Sequence, residues 1–92
     1  MKGLAVLVVD DEPLARRRVV RLLRQLPWVG AVEEAGNVQQ AREKLAGFDA
    51  RILLLDIQMP GGSGFDLVQY LDNPAPALIF ITLSVVPLLK PV

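Results

Sequence analysis

Residues 52–56 read ILLLD, four apolar residues that lead directly into a carboxylate. An uninterrupted apolar run of this length is typical of a parallel strand that is covered on both faces. Residues 4–10, LAVLVVD, repeat the pattern, and residues 78–82, LIFIT, form a third apolar run. Strands are therefore predicted at Leu4–Val9, Ile52–Leu55 and Leu78–Thr82.

A helix is predicted directly after the first strand. Pro13 suits the first turn of a helix, and Pro27 ends one that extends to about Leu26. Its apolar residues recur at a spacing that places them on one inward stripe. The members of this stripe are Ala15, Val19, Leu22, Leu23 and Leu26.

The middle of the chain adds a strand and a second helix. Ala31–Ala35 is a weaker strand, expected at an edge of the sheet. Asn37 is the predicted N-cap of a helix, with Gln40 as its capping-box partner, and Gly47 stops it. Ala41 and Leu45 are expected to face inward, and a short third helix is predicted at Phe65–Leu71. Strands that alternate with helices predict an α/β fold with a parallel sheet.

The composition excludes several classes of protein. Ninety-two residues form one small domain, and ten basic residues balance ten acidic ones, which gives no general attraction to nucleic acid or to a membrane. The chain has no histidine, which excludes histidine-based catalysis and histidine metal ligands, and its lack of cysteine excludes disulfides. No apolar run approaches the roughly 20 residues that span a bilayer, and no signal peptide is evident. A cytoplasmic location is expected.

The pattern breaks after Thr82. Only residues 83–87 separate the fourth strand from the next apolar pair, Leu88 and Leu89. A crossover between parallel strands needs about a dozen residues or more. The last helical crossover is therefore expected to be missing.

Carboxylates follow two of the predicted strands. Asp10 and Asp11 follow the first strand, and Asp56 follows the third. If these strands are neighbours, the three side chains converge where ligands bind in open α/β sheets. Because clustered carboxylates repel one another, a hard divalent cation such as Mg²⁺ is the natural compensation. Capping of the first helix is an equally good explanation for Asp11 or Glu12 taken singly.

Four motifs, in order, resemble the receiver domain of bacterial two-component response regulators. They are VVDDEPLAR at 8–16, LLDIQMPGGSGFDL at 54–67, IFIT at 79–82 and LLKPV at 88–92. The sequences of the first and last motifs are most similar to those of regulators whose output is a LytTR-type DNA-binding domain. The resemblance implies a flavodoxin-like parallel sheet of strand order 2-1-3-4-5, with helices on both faces.

The resemblance also implies roles for individual residues. Asp56 would be the phosphoacceptor, Thr82 would hydrogen-bond a phosphoryl oxygen, and Lys90 would pair with the phosphoryl charge from a cis Lys90–Pro91 bond. Mg²⁺ would be held by Asp10, Asp11, Asp56 and the backbone carbonyl of Gln58. The phosphoryl donor would be a sensor histidine kinase, and DNA would be reached only indirectly, through an output domain not present in residues 1–92. The domain would be a regulatory phosphoacceptor rather than an enzyme.

Some positions depart from the family pattern. Leu83 replaces a small residue, Pro87 replaces the switch aromatic, and the fourth helix and most of the fifth strand are lacking. Two hypotheses follow: a phosphorylation-dependent signalling domain, or a switching-defective module that acts through dimerisation. A free-standing phosphatase is disfavoured, because no second acid–base group is evident near Asp56. A homodimer is expected through the exposed edge of the fourth strand.

Other signals favour simpler explanations. The glycine-rich residues 61–64 lack the Gly-Lys-Ser/Thr of a P-loop and fit a turn. Trp28 fits partial packing at a loop. The first helix is strongly basic, and its arginines are interpreted as a solvated face, with kinase docking as the alternative. These arginines are Arg16, Arg17, Arg18, Arg21 and Arg24.

Overall fold

The computed structural model describes residues 3–56 and the backbone of residues 77–81. The predicted helix at Phe65–Leu71, the glycine-rich loop and the segment after Thr82, where a missing crossover is expected, lie outside the described residues. The described elements are the strands β1 (Leu4–Val9), β2 (Val29–Ala35), β3 (Ile52–Asp56) and β4 (Ala77–Ile81), and the helices α1 (Pro13–Leu23) and α2 (Val38–Gly47).

The strands form one parallel sheet of order β2-β1-β3-β4. This confirms the predicted α/β class and the order of the first four strands, with β2 at one end of the described sheet. β2 begins at Val29, two residues earlier than predicted, and the Leu4 N–H donates to the Trp28 carbonyl at 2.8 Å. Two glycines permit this close approach, because a Cβ at Gly3 would lie 2.5 Å from the Trp28 oxygen and a Cβ at Gly30 would lie 2.6 Å from the Gly3 oxygen.

Alternate residues of the central strands enter two cores on opposite faces of the sheet. One core joins Leu7 and Leu53 to Ala41 of α2, and the other joins Val8 and Leu54 to α1. β1 is buried from Val6 to Val9, which explains its wholly apolar sequence. The predicted placement of helices on both faces is thus confirmed.

The predicted stripe of α1 was partly wrong. Val20 and Leu23 are buried and Val19 packs beside them, but Leu22 is 58% exposed and Leu26 is 38% exposed. The helix ends at Leu23, where the Gln25 and Leu26 N–H groups donate to carbonyls three residues back in a tight turn. Pro27 disfavours helical geometry in the residue before it, which shortens the helix.

The second helix follows its prediction closely. Asn37 is the N-cap, and its Oδ1 accepts from the Gln40 N–H at 2.8 Å. The Gln40 side chain accepts from the Gly36 N–H, one residue before the expected capping-box donor. Ala41 is buried and Leu45 packs against the same core, as expected.

Neither described helix is long and apolar enough to cross a membrane.

Candidate functional site

The site lies at the carboxyl end of β1 and β3. The two strands are parallel neighbours, with Val9 opposite Leu55, so the residues that follow them meet at one edge of the sheet. This adjacency places Asp10 beside Asp56, which is the last residue of β3. The conditional expectation from the sequence, that the first and third strands are neighbours, is confirmed.

Three carboxylates converge at this edge. One carboxylate oxygen from each of Asp10, Asp11 and Asp56 lies within 4.8 Å of the other two. Asp10 is buried at 4% exposure, Asp56 is half-buried and Asp11 is exposed. Oxygen donors grouped so closely suit a hard cation such as Mg²⁺.

The electrostatics of Asp10 point the same way. Burial raises the pKa of the Asp10 carboxyl above its ordinary value, and the Glu12 N–H, which donates to Asp10 Oδ1 at 2.9 Å, partly opposes the rise. The charge of Asp56, a hydrogen bond shared with its carboxyl and the charge of Asp11 raise the pKa further. Burial and neighbouring negative charge thus disfavour the ionised form of Asp10, which is the condition that a bound cation relieves.

The structure separates the roles of Asp11 and Glu12. Glu12 is the N-cap of α1, and its Oε1 accepts from the Leu14 N–H at 3.0 Å. Asp11 instead contributes to the carboxylate cluster. Capping, which the sequence left open for either residue, belongs to Glu12.

Arg16 is not part of a solvated face, contrary to the interpretation from sequence. Its side chain is 17% exposed, its Nη1 donates to the Asp10 carbonyl at 2.7 Å and its Nε donates to Glu34 Oε1 at 2.9 Å. The signal that sequence reasoning missed is position: Arg16 stands four and seven residues before Val20 and Leu23, in register with the buried stripe of α1.

The remaining arginines of α1 are exposed, as expected. An open groove of about 480 Å³ runs along this helix. Its lining residues are Arg17, Val20, Arg21, Arg24, Gln25 and Glu34. None of the three clustered aspartates lines it, so the groove is distinct from the carboxylate site.

Trp28 is 47% exposed, in agreement with partial packing at a loop.

The other residues assigned by resemblance are not described by the structure. Gln58, Thr82 and Lys90 lie outside residues 3–56 and 77–81, as do the departures at Leu83 and Pro87. Their roles remain predictions.

Comparison with known proteins adds an independent result. The sequence pattern of the response regulator receiver domain matches residues 6–87. Over 79 residues, or 84% of this chain, the sequence is 44% identical to the sensory transduction protein LytT of Enterococcus faecalis. It is also 42% identical over 80 residues to the positive alginate biosynthesis regulatory protein of Pseudomonas aeruginosa. The chain spans about a third of the length of these curated relatives (33% and 32%).

Solved structures agree on the fold. The non-phosphorylated receiver domain of the stress response regulator RcsB from Escherichia coli superimposes with a TM-score of 0.77 at 28% identity, covering 95% of this chain and 70% of that one. A mutant of the response regulator MaeR, solved bound to sulfate, gives a TM-score of 0.78 at 22% identity, covering 88% of this chain and 68% of that one. At that identity the second likeness concerns the fold alone.

Proposed function

Because the chain belongs to the family of response regulator receiver domains, we propose that it accepts a phosphoryl group on Asp56 in a two-component signalling pathway. The observation that carries this proposal is the convergence of Asp10, Asp11 and Asp56, whose oxygens lie within 4.8 Å of one another. Asp56 is the one member that ends a central strand, next to the buried Leu55. A rigid strand holds a nucleophile in a defined direction, which lowers the entropic cost of reaction.

In the proposed reaction, a carboxylate oxygen of Asp56 forms the new bond to phosphorus. The bond between phosphorus and the donor's leaving group breaks, and the leaving group keeps the electron pair. The donor is a phosphohistidine of a sensor kinase or a small phosphodonor. Water later attacks the phosphorus of the aspartyl phosphate, which releases inorganic phosphate and restores the Asp56 carboxylate, so the chain gains and loses one phosphoryl group in each cycle.

Asp10, Asp11 and Asp56 would hold Mg²⁺, together with the Gln58 carbonyl. A bound Mg²⁺ would supply positive charge to the transferring phosphoryl oxygens and to the acids around them, which is most of what phosphoryl transfer asks of a protein. The raised pKa of Asp10 supports this assignment, because it reflects burial and neighbouring negative charges that a cation would offset. Thr82 would donate a hydrogen bond to a phosphoryl oxygen, and Lys90 would pair with the phosphoryl charge.

The wider role is proposed from the relatives. RcsB of Escherichia coli, 31% identical over 87 residues, is named a transcriptional regulatory protein, and the Salmonella protein has been solved bound to promoter DNA with a phosphomimetic. We infer that this domain controls a transcription output domain in the cytoplasm after phosphorylation by a histidine kinase. The DNA contact would belong to the output domain.

The decisive test is the intact mass of the 92-residue chain after incubation with Mg²⁺ and acetyl phosphate. One added phosphoryl group, labile to hydroxylamine, is expected in the wild type and absent in Asp56→Asn. Asp49→Asn is the matched control, since Asp49 lies outside the cluster. Labelling that persists in Asp56→Asn would contradict the assignment. A wild type that takes no phosphoryl group under forcing conditions would favour the dimerising, switching-defective module instead.

A further inference from the structure

The main chain at Asp10 is held by a closed set of contacts that we name the Arg16 clasp, formed by Asp10, Arg16, Glu34 and Ala35. The Asp10 N–H donates to the Ala35 carbonyl at 3.1 Å, and the Asp10 carbonyl accepts from Arg16 Nη1 at 2.7 Å. Arg16 Nε donates to Glu34, the residue before Ala35, at 2.9 Å. One side chain of α1 thus ties the end of β1 to the end of β2.

From this geometry we propose that Arg16 is a positioning residue for the metal and phosphoryl site, acting through the main chain that carries Asp10 and Asp11. The proposal rests on the function proposed above and extends it to a residue outside the carboxylate cluster. The carbonyl that Arg16 binds belongs to the peptide that joins Asp10 to Asp11. Any tilt of that peptide moves both carboxylates relative to Asp56, so its orientation sets the spacing of the oxygens.

The packing around Arg16 leaves its side chain mostly buried. A Cβ placed on Gly36 would lie 3.3 Å from Arg16 Nη1, so the glycine leaves room for the guanidinium that a larger residue at position 36 would take. The fork of the guanidinium lets two nitrogens bind in one plane, here to the Asp10 carbonyl and the Glu34 carboxylate. A lysine ammonium presents a single nitrogen and does not reproduce both directions.

Arg16 opposes the electrostatic repulsion among the carboxylates beside it. Asp10, Asp11 and Asp56 repel one another, and repulsion would open the turn between β1 and α1. Two hydrogen bonds to a charged donor, each among the stronger ones in proteins, oppose that opening. Supporting contacts of this kind orient metal ligands and affect metal affinity without touching the metal.

A second ion pair on the same strand provides a matched control. Lys44 Nζ lies 2.9 Å from Glu33 Oε1, the same length as the contact between Arg16 and Glu34. It joins α2 to β2, is exposed at both ends, and neither residue belongs to the carboxylate cluster. Breaking it removes a comparable pair from the same strand.

The test is a Mg²⁺ titration of Arg16→Met, Arg16→Lys, Glu34→Ala and Lys44→Met in the 92-residue chain. Two quantities are measured: the rise of the melting temperature with Mg²⁺, and the Mg²⁺ concentration that half-saturates phosphorylation by acetyl phosphate. Arg16→Met is expected to raise the Mg²⁺ concentration that gives half of the full effect by roughly tenfold, both for the rise of the melting temperature and for phosphorylation. Loss of a supporting contact typically weakens metal binding by this amount. The rate at saturating Mg²⁺ should change much less. Arg16→Lys should raise the Mg²⁺ requirement nearly as much as Arg16→Met does, and Lys44→Met should match the wild type.

Each other outcome has a defined meaning. An Arg16→Met titration that matches the wild type would overturn the proposal, and full rescue by Arg16→Lys would show that charge alone acts and would overturn positioning. If Arg16→Met does not fold, Glu34→Ala decides, because it releases one end of the clasp: a smaller shift in the same direction supports the proposal and none overturns it. Melting shifts that follow the expected order in a chain that takes no phosphoryl group would refute the function of Asp56 while supporting the role of Arg16. A wild type whose melting temperature does not respond to Mg²⁺ would overturn both.

Discussion

At the scale of single residues, Asp10 combines burial with the proximity of two other acids. Its pKa is raised above the ordinary value of 3.8 by burial first and then by Asp56 and Asp11. A folded-state pKa above the unfolded value means that the folded chain keeps a proton that the unfolded chain has lost. Without a metal, this group therefore makes the protein less stable as the pH rises from about 3.8 through the folded pKa, with the full loss above that pKa.

This linkage predicts the behaviour of Asp10→Asn in EDTA. The amide cannot ionise but can still accept from the Glu12 N–H, so the variant should gain stability relative to the wild type as the pH rises above about 4. Thermal unfolding of both proteins between about pH 3 and pH 7 measures the difference, and the comparison removes the contributions of acids that do not interact with Asp10. A difference that does not change with pH would contradict the prediction.

Asp11 allows a prediction about metal binding. A cation that binds only the folded chain raises its stability by mass action, so the melting temperature should rise in millimolar Mg²⁺. The rise should shrink in Asp11→Ala, because one oxygen ligand is lost. Asp11→Ala also removes a repelling charge and can raise the stability of the metal-free chain, so each protein is compared with itself in EDTA. An equal rise in both proteins would count against Asp11 as a ligand.

At the scale of elements, α1 shows that two adjacent leucines within one helical turn can differ completely in burial. Leu23 is 8% exposed and Leu22 is 58% exposed, although they are adjacent and both belonged to the predicted stripe. Leu23→Ala should lower the free energy of unfolding by about 2–5 kcal/mol, because it opens a cavity in the core beneath α1. Leu22→Ala should change it by no more than about 0.5 kcal/mol. Urea unfolding of the two variants measures these changes. Equal losses in free energy of unfolding would contradict the observation that Leu23, and not Leu22, faces the sheet.

The two helix starts also show what local sequence can and cannot decide. Asn37 was recognisable as a cap because its short side chain reaches the Gln40 N–H, as the structure shows. At the start of α1, the sequence left Asp11 and Glu12 as alternative caps. Only the direction in which β1 ends decides that Asp10 and Asp11 turn toward Asp56 while Glu12 caps the helix.

At the scale of the whole molecule, the two ends of the described sheet differ in sequence. β2 carries Glu33 and Glu34, both in ion pairs with helices, and such charges discourage pairing with another chain. β4 reads ALIFI, has no charged residue, and is the last strand of the described sheet. An apolar terminal strand of this kind recruits a further strand or surface.

We therefore predict that the 92-residue chain dimerises through the edge of β4. Sedimentation at micromolar concentration should show a dimer that dissociates on dilution. A charge placed on this strand, as in Ile79→Lys, should weaken the dimer, and Ala31→Lys at an exposed position of β2 is the control for the opposite end of the sheet. A single monomeric species, unchanged on dilution, would refute the prediction.

Much of the architecture was already present in the sequence. Apolar runs such as Leu4–Val9 and Ile52–Leu55 can be stable only between two layers, which predicts a parallel sheet with helices on both faces, and the structure confirms it. Element ends were less certain, because the end of α1 and the start of β2 depend on a tight turn and on two glycines in contact across strands. Local patterns do not report such contacts.

The sequence by itself determined the fold class and the three carboxylates at the ends of two strands, because strand periodicity and residue type are local properties of the chain. Only the tertiary structure decided which acid caps the helix, which leucine of α1 is buried and what Arg16 binds. Arg16 reaches Asp10 and Glu34 only after α1 has packed across β1 and β2, and Glu34 is eighteen residues away along the chain. Contacts made across such distances depend on how layers pack, which no single stretch of sequence records.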